Sequence, residues 1–152
     1  MASVTFRRAA AGDLEAIVAL LADDPIGGGR ENPGTELDPA YSEAFAALDC
    51  DPNQLLVAAE RGGQVIGVLQ LSFIPGLTRR GMWRGQIEGV RVAASERGSG
   101  VGRALLEWAL AECRRRGCGL VQLTSDKRRA EAHRFYEALG FQATHEGYKL
   151  SL

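Results

Sequence analysis

The chain has 152 residues, with 18 Lys and Arg against 19 Asp and Glu. That length suits one domain able to bury a core. The balanced charge excludes a general nucleic-acid or membrane-surface binder, whose affinity rests on a clustered positive excess. No run approaches eighteen apolar residues, and the N-terminal stretch MASVTFRRAAAGD has no apolar core of signal-peptide length. Cys50, Cys113 and Cys118 are an odd number without a C-x-x-C pair, so they are expected reduced, mostly buried and cytoplasmic. Basic residues cluster only locally, at 79–84, 114–116 and 127–129, which suits a small polyanionic ligand better than a polymer.

Residues 4–7 read as a short first strand. Asp13 is placed to cap a helix carrying Leu14, Ile17, Val18 and Leu21 on one face. The irregular segment 23–38, DDPIGGGRENPGTELD, holds Arg30 and Glu31 and is expected to wall a substrate site. Asp38-Pro39 reads as an N-cap and first-turn pair opening a helix with Tyr41, Phe45 and Leu48 as its stripe. Strands follow at 55–61 and 65–73, joined by the hairpin signal Gly62-Gly63. The connection 74–85 carries Arg79, Arg80, Trp83 and Arg84, with Trp83 a candidate for lining the acceptor pocket.

A further strand with Ile87, Val90 and Val92 leads into Arg97-Gly98-Ser99-Gly100-Val101-Gly102, which opens a long helix over 100–116. The apolar face expected there contains Val101, Leu105, Trp108 and Glu112, and 114–116 form a solvated end closed by Gly117. A buried strand at 120–124, a helix at 130–139 and one or two strands within 141–152 complete the chain. The expected fold is α/β, a mixed sheet in one domain spanning 1–152.

Glycines at alternate positions let several N–H groups converge on one anion, and the following helix aims its positive end at the same point. With Arg97 and Arg103 bracketing it, the loop reads as a phosphate cradle. It is not a P-loop, because no Lys-Ser or Lys-Thr closes it. Nor is it a dinucleotide fingerprint, because Arg103 stands where the third glycine belongs.

What the segment resembles is R-x-x-G-x-G, the pyrophosphate signature of the GCN5-related N-acetyltransferases. A second stretch, 132–141, reads A-x-x-F-Y-x-x-x-G-F and resembles the C-terminal half of the same family. The run 126–136, DKRRAEAHRFY, is similar to the aminoalkylphosphonate acetyltransferase branch. The resemblance implies a GNAT-like sheet with helices on both faces, acetyl-CoA as cosubstrate, and a primary amine acceptor. It implies that Val90, Arg91 and Val92 flank the pantetheine. Arg97, Gly98, Ser99, Gly100, Val101, Gly102 and Arg103 would hold the pyrophosphate. Tyr136 matches the tyrosine that protonates the departing thiolate. Where the family often carries Asn, this chain has Arg129, which with Arg128 is a candidate for the nucleotide phosphates.

The chemistry sets its own demands. An alkylamine with a pKa of roughly 10.4 attacks only when neutral, so a base or water path is needed. Proton transfer from a tyrosine near 10 to a thiolate near 8.5 is uphill by about 2 kcal/mol, so Tyr136 acts with a lowered pKa or as a hydrogen-bond donor. Glu88 is the base candidate, since on an unbroken strand it shares an apolar face with Val90 and Val92. The Val90 N–H is the expected oxyanion donor. No cluster has metal-ligand spacing. The partner expected is a small-molecule amine, with no nucleic acid and no membrane, and the chain is a candidate homodimer. The alternatives are a protein or peptide acceptor, a non-catalytic acyl-CoA sensor, and a nucleotide-binding module.

Overall fold

Strands β1 (Thr5–Arg8), β2 (Gln54–Arg61), β3 (Gln64–Ile74), β4 (Arg84–Val92) and β5 (Leu120–Leu123) lie side by side in that order. This is the arrangement in a computed structural model, which describes residues 2–152. The first three pairings are antiparallel. Strand β5 runs parallel to β4: Gly119 donates to the Trp83 carbonyl at 2.9 Å, and three residues on Gln122 bonds Gln86 at 2.7 Å. The sheet is therefore mixed, as expected.

The contacts divide the chain into two compact units, one ending at Gln122 and the other Leu123–Leu152. The first holds helices α1 (Leu14–Ala22), α2 (Pro39–Cys50) and α3 (Val101–Arg115), and the second holds α4 (Ala130–Ala138).

Adjacent strand residues point to opposite faces, so β3 reports what covers each side. A Cβ on Gly67 would lie 3.6 Å from Leu105 of α3. Its neighbour Val68 packs in a cluster with Ile17, Leu20 and Leu21 of α1 and Phe45 of α2. Helices thus cover both faces. Leu69, Leu71, Ile87, Leu105, Leu106 and Cys113 are fully buried between β3, β4 and α3.

The buried stripe of α3 is Val101, Leu105, Leu106, Ala109 and Cys113, turned slightly from the expected one. Trp108 and Glu112 border it half-buried, and the Glu112 carboxylate takes the guanidinium groups of Arg115 at 2.6 Å and Arg116 at 3.1 Å. Arg116 is no solvated end: its guanidinium carbon sits 4.0 Å from the Phe73 ring centroid.

Four other expectations are corrected. Asp13 does not cap α1; its carboxylate turns back to the Ala10 N–H at 2.7 Å and to Arg7 at 2.7 Å. Cys50 is exposed and Cys118 only half-buried, leaving Cys113 as the buried thiol. Strand β5 is half-buried along its length, as befits an edge of the sheet. No strand forms over 141–152. The alternation of Tyr148, Leu150 and Leu152 is strand-like, yet a strand exists only where a neighbour accepts its backbone bonds, and these side chains stand exposed.

Two consequences are testable. Gly85 of β4 faces α3 so closely that a Cβ would stand 2.5 Å from the Cys113 sulfur. Gly85→Ala is expected to destabilise by about 1–3 kcal/mol through overpacking. Cys113→Ala in the same chain should recover much of that loss, a coupling read by denaturant melts of the double-mutant cycle.

The second concerns acid. Hydrogen bonds from Arg7 hold the Asp13 carboxyl below the usual carboxylate range. A depressed carboxyl contributes stability fully above its unfolded value near 4 and loses it as pH falls through the folded value. Asp13→Asn is therefore expected to flatten the fall in melting temperature below about pH 4, with less effect on the slope at neutral pH.

Candidate active site

Strand β4 is broken where the chemistry was expected. Gln70 pairs with Glu88 and Val68 with Arg91, so Gly89 and Val90 together stand opposite Leu69. Gly89 takes φ +61°, the left-handed conformation of a glycine bulge, which leaves the extra residue outside the ladder. One inserted residue flips every side chain beyond it.

Glu88 therefore does not share a face with Val92. It is exposed, on the face that carries Gln70 and Arg91, while Ile87 and Val92 share the α3 face with Leu71 and Gly67. The apolar setting expected for Glu88 is absent because the strand is not continuous. A glycine between Glu88 and Val90, inside the strand, was the available signal for a bulge.

Beyond the bulge β4 has a bare edge. Strand β5 ends at Leu123, level with Ile87 by the Trp83–Gly119 and Gln86–Gln122 contacts. Among the described residues no further strand joins the sheet there, so 88–92 run on without a paired strand on their outer side. The Val90 carbonyl already accepts from Arg91 Nη1 at 2.8 Å. Arg91 also reaches the buried Asp24 carboxylate at 2.8 Å, and Asp24 in turn accepts from the Ile26 N–H at 3.1 Å. The segment expected as a substrate wall is thus anchored to β4 at its start.

The same strand leads into the glycine loop. Gly98 and Gly100 have φ of +78° and +88°, and helix α3 begins at Val101 without a side-chain cap. The loop is pinned from outside: Glu96 pairs with Arg61, the Ser99 hydroxyl donates to the Glu96 carbonyl, and Arg97 lies 3.8 Å from Asp23. The first backbone bond of the helix runs from Ala104 to Gly100 at 3.0 Å. Among the described residues, the N–H groups of Gly98, Gly100, Val101, Gly102 and Arg103 donate to nothing in the protein. Five unclaimed donors at a helix N-terminus are what an anion requires. The Arg103 guanidinium leans along the helix to Glu107 at 2.8 Å.

In the second unit, the Tyr136 ring packs edge-on against Phe135, 5.3 Å between centroids, and Phe141, 5.9 Å. Arg128 grips Asp126 through both ends of its guanidinium at 2.9 and 2.8 Å, which holds the Asp126 carboxyl well below its usual range. Arg129 precedes the first turn of α4. His133 contacts the Asp126 carbonyl at 2.9 Å.

The substrate candidates separate. Glu31 accepts from the Tyr41 hydroxyl at 2.7 Å, and the exposed Arg30 lies 3.5 Å from Glu31. Trp83 lines a cavity of about 230 Å³ with Asn53, Phe73 and Arg116, at the opposite end of β4 from the glycine loop. Between them, Arg79 and Arg80 adopt left-handed φ of 54° and 63° in an exposed turn with no sequence signal beyond Gly81.

The family model described as the acetyltransferase (GNAT) family matches residues 14–141. The chain belongs to that family. Acetyltransferases of this family use acetyl-CoA, and this acetyltransferase takes it as cosubstrate. The aminoalkylphosphonate N-acetyltransferase of Salmonella typhimurium is 37% identical over 111 residues, covering 72% of this chain and 71% of that protein. The glucosamine 6-phosphate N-acetyltransferase of Trypanosoma brucei brucei is 38% identical over 90 residues, covering 59% of each. A Bacillus halodurans C-125 structure described as a transcriptional regulator superposes with a TM-score of 0.96 at 47% identity, covering 99% of this chain and 100% of that one. No helix is long and apolar enough to cross a membrane among the described residues.

Proposed function

We propose that this acetyltransferase moves the acetyl group of acetyl-CoA directly to the primary amine of a small molecule in the cytoplasm. The observation that carries the reading is the bare edge of β4 running straight into five unclaimed N–H donors. A pantetheine arm lies along such an edge as an added strand would, with its pyrophosphate at the donors.

The neutral amine attacks the thioester carbon, a C–N bond forms, the C–S bond breaks, and CoA leaves as a thiolate that takes up a proton. The nitrogen gives one up. In this reading the freed N–H at the bulge meets the oxyanion, Tyr136 donates to sulfur, and Glu88, exposed beside the bulge, receives the amine proton directly or through water. The Salmonella and Trypanosoma relatives act on amines that also bear a phosphonate or phosphate, so these are the first acceptors to assay.

Tyr136→Phe is expected to lower kcat about 100-fold while the dissociation constant for acetyl-CoA stays within about threefold. Thiol release and calorimetry measure the two. The likeness to the Bacillus halodurans protein favours a second reading, a CoA-responsive regulator. Acetyl-CoA binding without transfer to any amine by the unmodified protein would select it.

A further inference from the structure

The face of the sheet that carries Glu88 holds a row of polar side chains that no element above explains. Ser72 pairs with Gln54 on one side and Gln86 on the other, and Gln70 pairs with Glu88. The Gln54 amide oxygen accepts from Ser72 at 2.8 Å and Gln70 at 3.2 Å, and Gln86 accepts from Gln122 at 2.7 Å. Ser72 is buried and the glutamines are half-buried, so the row is an organised polar floor rather than a solvated surface. One step further along β4, opposite Ile74, the same alternation puts Arg84 on this face.

Arg84 is the unusual member. Its Nε is shut off from solvent and has no acceptor. The Nε atoms of Arg61 and Arg91 are occluded too, but those guanidinium groups have Glu96 and Asp24 as counter-charges. The Arg84 side chain makes no hydrogen bond or ion pair with any described residue. No ligand reaches that Nε, but the two Nη groups are not shut off, so this half-buried guanidinium without a counter-charge is open to an anion.

We propose that Arg84 holds an oxyanion on the acceptor, whose amine lies toward Glu88, with Gln86 and Gln70 bonding the atoms between. The inference rests on the acetyltransferase reading given above and names the class of amine: a short molecule with an amine at one end and a phosphonate, phosphate or carboxylate at the other. Arg84 and Glu88 are four residues apart, roughly 13 Å along the backbone, and the long arginine side chain shortens that span. The floor between them offers amide donors and acceptors, which suits a polar spacer better than an alkyl chain.

The test compares 2-aminoethylphosphonate, β-alanine and propylamine as acceptors for wild type, Arg84→Gln and Arg84→Lys, with thermal melts to confirm folding. In Arg84→Gln, the kcat/KM ratio of 2-aminoethylphosphonate to propylamine is expected to fall roughly 10- to 150-fold, the loss of a charge-assisted hydrogen bond. Arg84→Lys should restore part of that ratio. The β-alanine arm tells phosphonate from carboxylate. An unchanged ratio overturns the assignment. If wild type acetylates none of the three, the transfer reading fails, and calorimetric binding of 2-aminoethylphosphonate to wild type and Arg84→Gln then decides the anion subsite. Equal affinities, or no binding to either, overturn it.

Discussion

Replacing Gly98 and Gly100 together by alanine is expected to weaken acetyl-CoA binding more than any other pair of changes in the first unit. Both residues sit at positive φ, where a Cβ costs roughly 1–2 kcal/mol. Nothing lies within 4 Å of either added Cβ, so the penalty is conformational and the backbone relieves it by rotating. Rotation turns the unclaimed N–H groups away from their common target. Each charge-assisted bond lost is worth about 1.5–3 kcal/mol, roughly 10- to 150-fold in affinity. Calorimetric titration with CoA measures it, beside a melt that reads the conformational penalty, about 2–4 kcal/mol at most for the pair, separately. Affinity within twofold of wild type would sink the idea of a backbone cradle.

The second large effect is structural. Asp24→Ala removes the carboxylate that Arg91 contacts at 2.8 Å, from a site where the Asp24 side chain is only 2% exposed. Removing one partner of a buried ion pair costs about 3 kcal/mol or more. The expected result is a matching loss in denaturant melts and faster proteolysis within 23–38, since the Asp24 carboxylate also accepts from the Ile26 N–H. Asp24→Asn keeps the shape and one acceptor, so it should lie between the two. A loss below about 1 kcal/mol would mean the pair is an ordinary surface contact.

The conformation of the glycine loop was readable in the sequence, because backbone conformations that need glycine leave glycine behind. The hairpin at Gly62-Gly63 and the Asp38-Pro39 helix start were legible for the same local reason: the Asp38 carboxylate does accept from the Ala40 N–H, at 2.9 Å. Glu88 was misplaced because facing is a cumulative property. One residue inserted at Gly89 reverses everything after it, and simple strand alternation carries no record of the bulge. The left-handed Arg79 and Arg80 could not be anticipated, since arginine has no preference for that region. The ending at 141–152 failed differently: its pattern was right for a strand, but a pattern cannot supply the neighbouring chain that a strand requires.

The bulge at Gly89 has one more consequence, for solubility. A flat, uncovered strand edge is a template on which other polypeptides can stack, and it is a recurrent origin of aggregation. Here the uncovered part of β4 begins at the bulge, where the backbone kinks and its twist increases. A long foreign strand cannot follow that bend in register. A slender, flexible arm of the kind proposed for this edge would meet no such demand, so the kink disfavours long added strands more than a small ligand.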